Sequence, residues 1–105
     1  MSTAIATRED LLRRLAEQGP AVRALGVHRL ALFGSFARDE ARSGSDVDFL
    51  VEFAPGRKTF DNFVALATLL EDTLQRRVEL VTPEALSPYI GPRILAEAQN
   101  VSLGS

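Results

Sequence analysis

The stretch "GSFARDEARSGSDVDFLVEF", residues 34–53, decides the fold of this chain. In its second half, residues 46–53, polar and apolar side chains largely alternate, as they do in a β-strand with one buried face. Two aspartates, Asp46 and Asp48, nevertheless stand at the head of this apolar segment. A buried carboxylate costs several kcal/mol unless something compensates its charge. We therefore expect both aspartates on the face of the strand that the helices leave uncovered.

Alternation divides the side chains of this strand between two faces. One face is wholly apolar and is expected to pack on the helices: Val47, Phe49, Val51 and Phe53. The other face is mostly acidic: Asp46, Asp48, Leu50 and Glu52. Residues 77–81 predict a further strand, in which Val78 and Leu80 face the core and Glu79 lies on the open face with Arg77.

If these two strands lie in one sheet, Glu79 joins Asp46 and Asp48 on a common surface. Three carboxylates on one face repel one another strongly unless a cation lies among them. Oxygen ligands suit hard divalent ions, Mg²⁺ above all. From these residues alone, a solvated acidic face without a metal is an equally good interpretation.

The first half of the chain predicts helices around a central strand. Residues 7–26 predict a helix in two pieces, capped by Thr7 and interrupted at Gly19-Pro20. Residues 27–33 predict the strand, and residues 35–42 a short helix that a turn at residues 43–45 follows.

The second half predicts two more helices around the third strand. After a loop at residues 54–58, Thr59 is expected to cap a helix whose core-facing side is Phe60, Phe63, Val64, Ala67, Leu70 and Leu74. Residues 88–99 predict the last helix. This order of elements predicts an α/β fold: a three-stranded mixed sheet with helices packed mainly on one face and an open acidic face.

Length and composition limit the function further. A chain of 105 residues with 46% hydrophobic and 25% charged residues predicts a single globular domain, residues 1–105. A net charge of −2 gives no basic field, so direct nucleic-acid binding is not expected. The absence of cysteine excludes disulfides, thiolate catalysis and cysteine zinc sites. The sequence shows no signal-peptide pattern and no apolar run near the ~20 residues that span a bilayer, so a cytoplasmic location without membrane contact is expected.

Gly34-Ser35 stands where the first strand turns toward the predicted short helix. Glycine allows close approach of a ligand to the backbone, Ser35 adds a hydroxyl donor, and free amides at a helix start attract anions. Arg38 is a candidate to reach a phosphate oxygen, although an exposed surface arginine is the commoner outcome. A phosphate-binding turn beside paired carboxylates is what phosphoryl or nucleotidyl transfer requires.

Gly34-Ser35, ten intervening residues and then Asp46-x-Asp48 with apolar neighbours resembles the signature of the DNA polymerase β-like nucleotidyltransferase superfamily. The chain length and residues 30–53 resemble the minimal nucleotidyltransferases, known as MNT proteins. These are often antitoxins encoded beside a helical HEPN-domain toxin. The resemblance extends over residues 27–98.

This resemblance implies roles for the candidate site residues. Gly34 and Ser35 would hold the phosphates of the nucleotide, with Arg38 as a further contact, and Asp46 and Asp48 would bind two Mg²⁺ ions. Glu79 stands where the family commonly has aspartate, as a third carboxylate that helps to bind metal and draws the proton from the nucleophile. Its extra methylene alters the geometry of that metal. Asp39, where relatives often carry glycine, adds negative charge near the phosphates.

The function that the resemblance implies is a Mg²⁺-dependent protein adenylyltransferase. It would transfer AMP from ATP to a hydroxyl, typically of a tyrosine, on a cognate HEPN RNase toxin, and it would form a hetero-oligomer with that toxin. Two alternatives stay open: a non-catalytic antitoxin that neutralises the toxin by binding, and a nucleotidyltransferase for a small-molecule hydroxyl.

Overall fold

The computed structural model of the chain describes residues 5, 7–42 and 44–103. In these residues the elements follow one another as α1 (Arg8–Glu17), α2 (Gly19–Ala24), β1 (Val27–Phe33), β2 (Val47–Phe53), α3 (Phe60–Leu74), β3 (Val78–Val81), a 3₁₀ helix (Pro83–Ala85), α4 (Gly91–Glu97) and β4 (Gln99–Asn100). The predicted α/β class is confirmed. The predicted turn at residues 43–45 is described only in part, because residue 43 lies outside these ranges.

The sheet has four strands in the described residues, where three were predicted, and their order is β3-β2-β1-β4. β2 pairs antiparallel with β1 and parallel with β3, so the sheet is mixed, as predicted. The additional strand is β4, which pairs antiparallel with Ala31 and Leu32 of β1. A strand of two residues is too short to show a period of two. The prediction therefore extended the last helix over residues 88–99, whereas α4 spans Gly91–Glu97 and Gln99 begins β4.

Local capping signals place two of the predicted helix starts correctly. The Thr7 side chain accepts a hydrogen bond from the Asp10 amide at 3.1 Å, and α1 begins at the next residue. The Thr59 side chain accepts from the Asn62 amide at 3.1 Å at the start of α3. The predicted interruption before Pro20 is also present, because α1 and α2 are separate helices.

The main core lies between one face of the sheet and helices α1 and α3. The sheet contributes the buried side chains Leu30, Leu32, Val47, Phe49 and Val51, and the two helices contribute Leu11, Leu15, Leu66, Leu70 and Leu74. The strand residues Val47, Phe49 and Val51 are those that the alternation assigned to the helix-covered face. The prediction of which β2 side chains face the helices is therefore confirmed.

The predicted core face of α3 is wrong at two positions. Phe60 is 81% exposed and Val64 is 44% exposed, whereas Leu66, Leu70 and Leu74 are fully buried. The buried residues form one row at a spacing of four along α3. Val64 lies about 120° around the helix from Leu70, which takes it off that row. Phe60 is the first residue of the helix.

The opposite face of the sheet is only partly open, because a second, smaller apolar cluster lies on it. Ala31, Phe33 and Leu50 are buried there, and side chains from β3 and the segments after it pack against them: Val81, Leu86, Ile94 and Ala98. The 3₁₀ helix and α4 therefore flank the face that carries the acidic residues of β2.

The segment predicted as a short helix at residues 35–42 is a set of turns. We call residues 34–40 the Gly34 turn. The Arg38 amide donates to the Gly34 carbonyl at 3.2 Å, but Asp39 has φ 58°, a left-handed conformation that ends any helical continuation. The Glu40 amide then donates to the Ser35 carbonyl at 2.8 Å. The predicted helix start at Ser35 is therefore replaced by a turn with exposed polar groups.

In the part of the chain that the structure describes, no helix combines the length and the hydrophobicity needed to cross a bilayer.

Candidate active site

Antiparallel pairing of β1 with β2 brings the Gly34 turn against Asp48. Phe33, the last residue of β1, is paired with Asp48, and Gly34 follows it. Gly34 has φ 77°, a backbone conformation that residues with a side chain disfavour. A β-carbon at residue 34 would in addition overlap Oδ2 of Asp48 and lie 3.1 Å from its Cγ. Glycine is thus required here both by backbone conformation and by the closeness of the carboxylate.

Parallel pairing of β2 with β3 places Glu79 beside Asp48. The two residues are register partners, so their side chains leave the sheet on the same face. Asp48 is half-buried and Glu79 is exposed. Asp46 lies just before β2 and is also half-buried. The turn after β1 and the adjacent strands β2 and β3 thus bring Gly34, Asp48 and Glu79 together.

The environment of Asp48 opposes its ionisation. Burial raises the pKa of the Asp48 carboxyl to about 6, and the negative charges of Glu79, Asp46 and Glu97 contribute in the same direction. An ordinary aspartate has a pKa of 3.8. The neighbouring groups that shift the pKa of Asp48 are all carboxyls. A bound cation would relieve the repulsion among them.

The donor set at Asp48 fits a magnesium ion in its chemistry. Among residues 5, 7–42 and 44–103, no group of three His, Cys, Asp or Glu side chains converges as a metal-holding cluster. Mg²⁺ does not require one, since it is usually bound through one or two carboxylates, with waters and substrate phosphates completing its octahedron. Asp48 and Glu79, with Asp46 nearby, supply carboxylate oxygens of that kind.

Glu97, the last residue of α4, reaches the Gly34 turn. Its Oε2 accepts a hydrogen bond from the Gly34 amide at 2.9 Å, and its Oε1 accepts one from Nη1 of Arg38 at 2.8 Å. The Gly34 amide, and after it the Arg38 guanidinium, lowers the pKa of the Glu97 carboxyl. Arg38 also donates from Nε to Oε1 of Glu40 at 2.8 Å. Ser35 is half-buried beside Gly34 in the same turn.

A cleft of about 380 Å³ opens beside the carboxylates. Asp48 and Glu79 lie on its wall. Most of the remaining wall is apolar and comes from the ends of β1 and β3, from the residues around the 3₁₀ helix and from α4: Phe33, Val81, Ala85, Leu86, Ile90 and Ile94, with Ser87. The cleft therefore joins an acidic site to an apolar surface large enough for a ring.

Two features of this site had no signal in the sequence. Glu97 is separated from Gly34 by 63 positions, so no local pattern connects them. The residues of the apolar wall are hydrophobic, and hydrophobic periodicity in the sequence assigns such residues to the core or to the buried face of a helix, not to a cleft. The spacing of Gly34, Asp46 and Asp48, in contrast, was visible because all three flank the same β1–β2 connection.

Comparison with known proteins identifies the family. The nucleotidyltransferase domain family matches residues 9–101. A Methanocaldococcus jannaschii protein named as a protein adenylyltransferase, MJ0435, is 42% identical over 76 residues, which are 72% of this chain and 81% of that protein. The protein adenylyltransferase MntA of Thermococcus cleftensis is 39% identical over 72 residues, 69% of this chain and 72% of that protein.

Solved structures agree with this assignment. A minimal nucleotidyltransferase matches with a TM-score of 0.69 and 38% identity, over 84% of this chain and 93% of that one. A toxin–antitoxin crystal structure with AMP-PNP matches with a TM-score of 0.62 over 90% of this chain and 72% of that one, and at 20% identity it supports the fold alone. The chain therefore belongs to the nucleotidyltransferase domain family and is, within it, a minimal nucleotidyltransferase.

Proposed function

We propose that this chain is a Mg²⁺-dependent protein adenylyltransferase that transfers AMP from ATP to a tyrosine hydroxyl of a HEPN-domain RNase toxin and so inactivates it. The observation that carries the proposal is the contact of Gly34 with Asp48, which has Glu79 as its neighbour on the next strand. This contact puts a backbone with donor groups for an anion directly against carboxylates that need a cation. ATP bound with Mg²⁺ carries both charges.

The Gly34 turn is the proposed phosphate site. The Gly34 amide and the Arg38 guanidinium already bind a carboxylate, so both groups are oriented toward an anion. The Ser35 hydroxyl lies in the same turn and is the third proposed contact. Gly34 has no side chain, so a phosphate can approach its backbone closely.

Asp46, Asp48 and Glu79 are the proposed metal-binding and catalytic carboxylates. They would hold two Mg²⁺ ions. When bound, these ions would neutralise the triphosphate and stabilise the negative charge that develops around the reacting phosphorus. The acceptor oxygen bonds to the α-phosphorus, and the bond from that phosphorus to the leaving pyrophosphate breaks. Glu79, exposed at the cleft, is the proposed acceptor of the hydroxyl proton.

The apolar wall of the cleft supports an aromatic acceptor. A tyrosine ring in contact with Leu86 and Ile94 would lie in the same cleft as the carboxylates of Asp48 and Glu79. The relatives named as protein adenylyltransferases support an acceptor on a protein. AMP attached there adds negative charge and bulk, which is an effective way to close an RNase site to RNA.

Intact-protein mass spectrometry tests this function. The protein encoded by the neighbouring gene is incubated with the chain, ATP and Mg²⁺, in parallel with the variants Asp48→Asn and Asp72→Asn. Asp72 is an exposed aspartate on α3 and controls for the loss of one carboxylate. We expect one or more AMP units on the partner with the wild type and Asp72→Asn, and none with Asp48→Asn.

The unexpected outcomes separate the alternatives. An unmodified partner that is still bound and inhibited would favour the non-catalytic antitoxin. A partner that is neither modified nor bound would reject the toxin as acceptor and direct the search to small-molecule hydroxyls.

A further inference from the structure

The Gly34 amide and the Arg38 guanidinium form a small anion site, and a side chain of the protein itself occupies it. Each oxygen of the Glu97 carboxylate accepts from one of the two donors, at 2.9 Å from the amide and 2.8 Å from the guanidinium. Charged hydrogen bonds of this kind are about twice as strong as neutral ones. Glu97 thus binds these donors as an external anion would.

The position of Glu97 beside other carboxylates is electrostatically unfavourable. Its charge is one of those that oppose ionisation of Asp48, together with Glu79 and Asp46. A fourth carboxylate at this acidic place is favoured mainly by the two donors of the Gly34 turn, with a smaller contribution from the charge of Arg93. When a phosphate binds there, the same donors are needed for it, since the amide has a single hydrogen to donate.

We infer that Glu97 is an internal competitor of the nucleotide: its carboxylate occupies the phosphate site of the free protein and must leave before the triphosphate can bind. The inference rests on the proposed role of the Gly34 turn in nucleotide binding. Glu97 sets the affinity for the nucleotide because only the fraction of molecules with a vacated turn can bind it. It also keeps the amide and Arg38 oriented while no nucleotide is bound.

The place of Glu97 in the fold allows this exchange. It is the last residue of α4, and its side chain is 30% exposed, so its carboxylate can turn into solvent by side-chain rotation. β4 begins two residues later and is hydrogen-bonded to β1, which holds the backbone in place. Binding therefore needs a change of rotamer and no displacement of α4.

Isothermal titration of ATP with Mg²⁺ into the full chain tests the inference with three proteins. Glu97→Gln keeps a neutral acceptor for the amide and removes the charge. Glu17→Gln is the matched control, because Glu17 is an exposed glutamate on α1, outside the Gly34 turn, and its substitution removes the same charge. If Glu97 occupies the site nine-tenths of the time, its removal strengthens apparent ATP binding about tenfold.

We expect Glu97→Gln to bind ATP about fivefold to tenfold more tightly than the wild type, and Glu17→Gln to change the Kd less than about twofold. Equal affinity in Glu97→Gln and wild type would overturn the inference, as would weaker binding, which would make Glu97 a positioning residue. Equal gains in both variants would reduce the effect to net charge and would overturn it too. Absence of ATP binding in all three proteins would reject the nucleotide site itself, and the inference with it.

A second measurement needs no variant. The carboxyl ¹³C resonance of Glu97 is followed in the wild-type protein while inorganic tripolyphosphate is added. Release of the carboxylate into solvent predicts a shift of this resonance that saturates together with the binding curve. A Glu97 resonance that stays unchanged at saturation would show that both anions are accommodated, and would overturn the competition.

Discussion

Gly34 lies so close to Asp48 that a β-carbon at residue 34 would overlap the carboxylate oxygen Oδ2. Gly34 directly follows β1 and Asp48 lies in the adjacent β2, and the antiparallel register of these two strands fixes their distance. A carboxylate and a backbone segment that binds anions are thus held together by the sheet itself. Substitution at Gly34 is therefore expected to displace the carboxylate as well as the backbone.

Gly34→Ala should abolish transfer activity and destabilise the fold. The left-handed φ costs about 1 kcal/mol for alanine, and the displacement of Asp48 adds to it, so we expect a loss of about 2–3 kcal/mol in the free energy of unfolding. Gly56→Ala is the control, because Gly56 has the same φ of 77° and open space around a β-carbon. Urea unfolding of both variants measures the difference. Equal losses in the two would show that only the backbone conformation matters.

Asp48→Asn should stabilise the metal-free protein above neutral pH. The pKa of Asp48 is raised from 3.8 to about 6 in the fold, so the folded state binds the proton more tightly than the unfolded state and stability falls as pH rises between these values. Since Asp48 is only half-buried, we expect a gain of about 1–2 kcal/mol at pH 8 that vanishes below about pH 4. Thermal unfolding in EDTA, with Asp72→Asn as reference, measures it. A gain of equal size at pH 3 and pH 8 would exclude ionisation as the cause.

Mg²⁺ should stabilise the wild-type protein because it offsets the repulsion among the carboxylates at Asp48. At a concentration of ten times its Kd, a ligand adds about 1.4 kcal/mol to the free energy of unfolding, which is a rise of several degrees in the Tm of a domain of this size. Scanning calorimetry with and without MgCl₂ should show this rise for the wild type and for Asp72→Asn, and none for Asp48→Asn. A rise in all three would point to a cation site elsewhere.

Glu79→Gln should slow AMP transfer at least about 100-fold, since an amide cannot accept the proton of the acceptor hydroxyl. Glu79→Asp keeps the carboxylate on the partner position of Asp48 and should retain activity within about tenfold. Single-turnover transfer monitored by intact mass gives both rates. Activity of Glu79→Gln near that of the wild type would remove Glu79 from the chemistry and leave proton acceptance to another group.

The sequence predicted those parts of the fold that rest on local signals. β1 and the break between α1 and α2 follow from apolar periodicity and from Gly19-Pro20, and the cap residues Thr7 and Thr59 mark two helix starts correctly. The faces of β2 follow from the period of two, and so the shared side of Asp48 and Leu50 was predictable. The nucleotidyltransferase family was recognisable for the same reason, because its motif lies within residues 34–48.

Other parts depended on contacts between distant segments. β4 forms because Gln99 and Asn100 pair with the edge of β1 that β2 leaves free. A strand of two residues has no sequence pattern from which it could be predicted. The Gly34 turn replaces a predicted helix because Asp39 adopts a left-handed conformation. The hydrogen bond from the Gly34 amide to Glu97 joins the turn after β1 to the end of α4, and only the folded chain brings these two segments together.

The parallel pairing of β2 and β3 has a consequence for how this protein can fail. β3 has four residues, and Glu79 reaches Asp48 only because Val47 is opposite Val78. A slip of one residue would exchange Glu79 for Val78 or Leu80 and would turn the carboxylate to the helix side. Such a misaligned molecule would keep its helix content and its compactness, but Glu79 would no longer lie beside Asp48. Catalytic turnover would therefore count correctly aligned molecules in a refolded sample, where circular dichroism would count all of them.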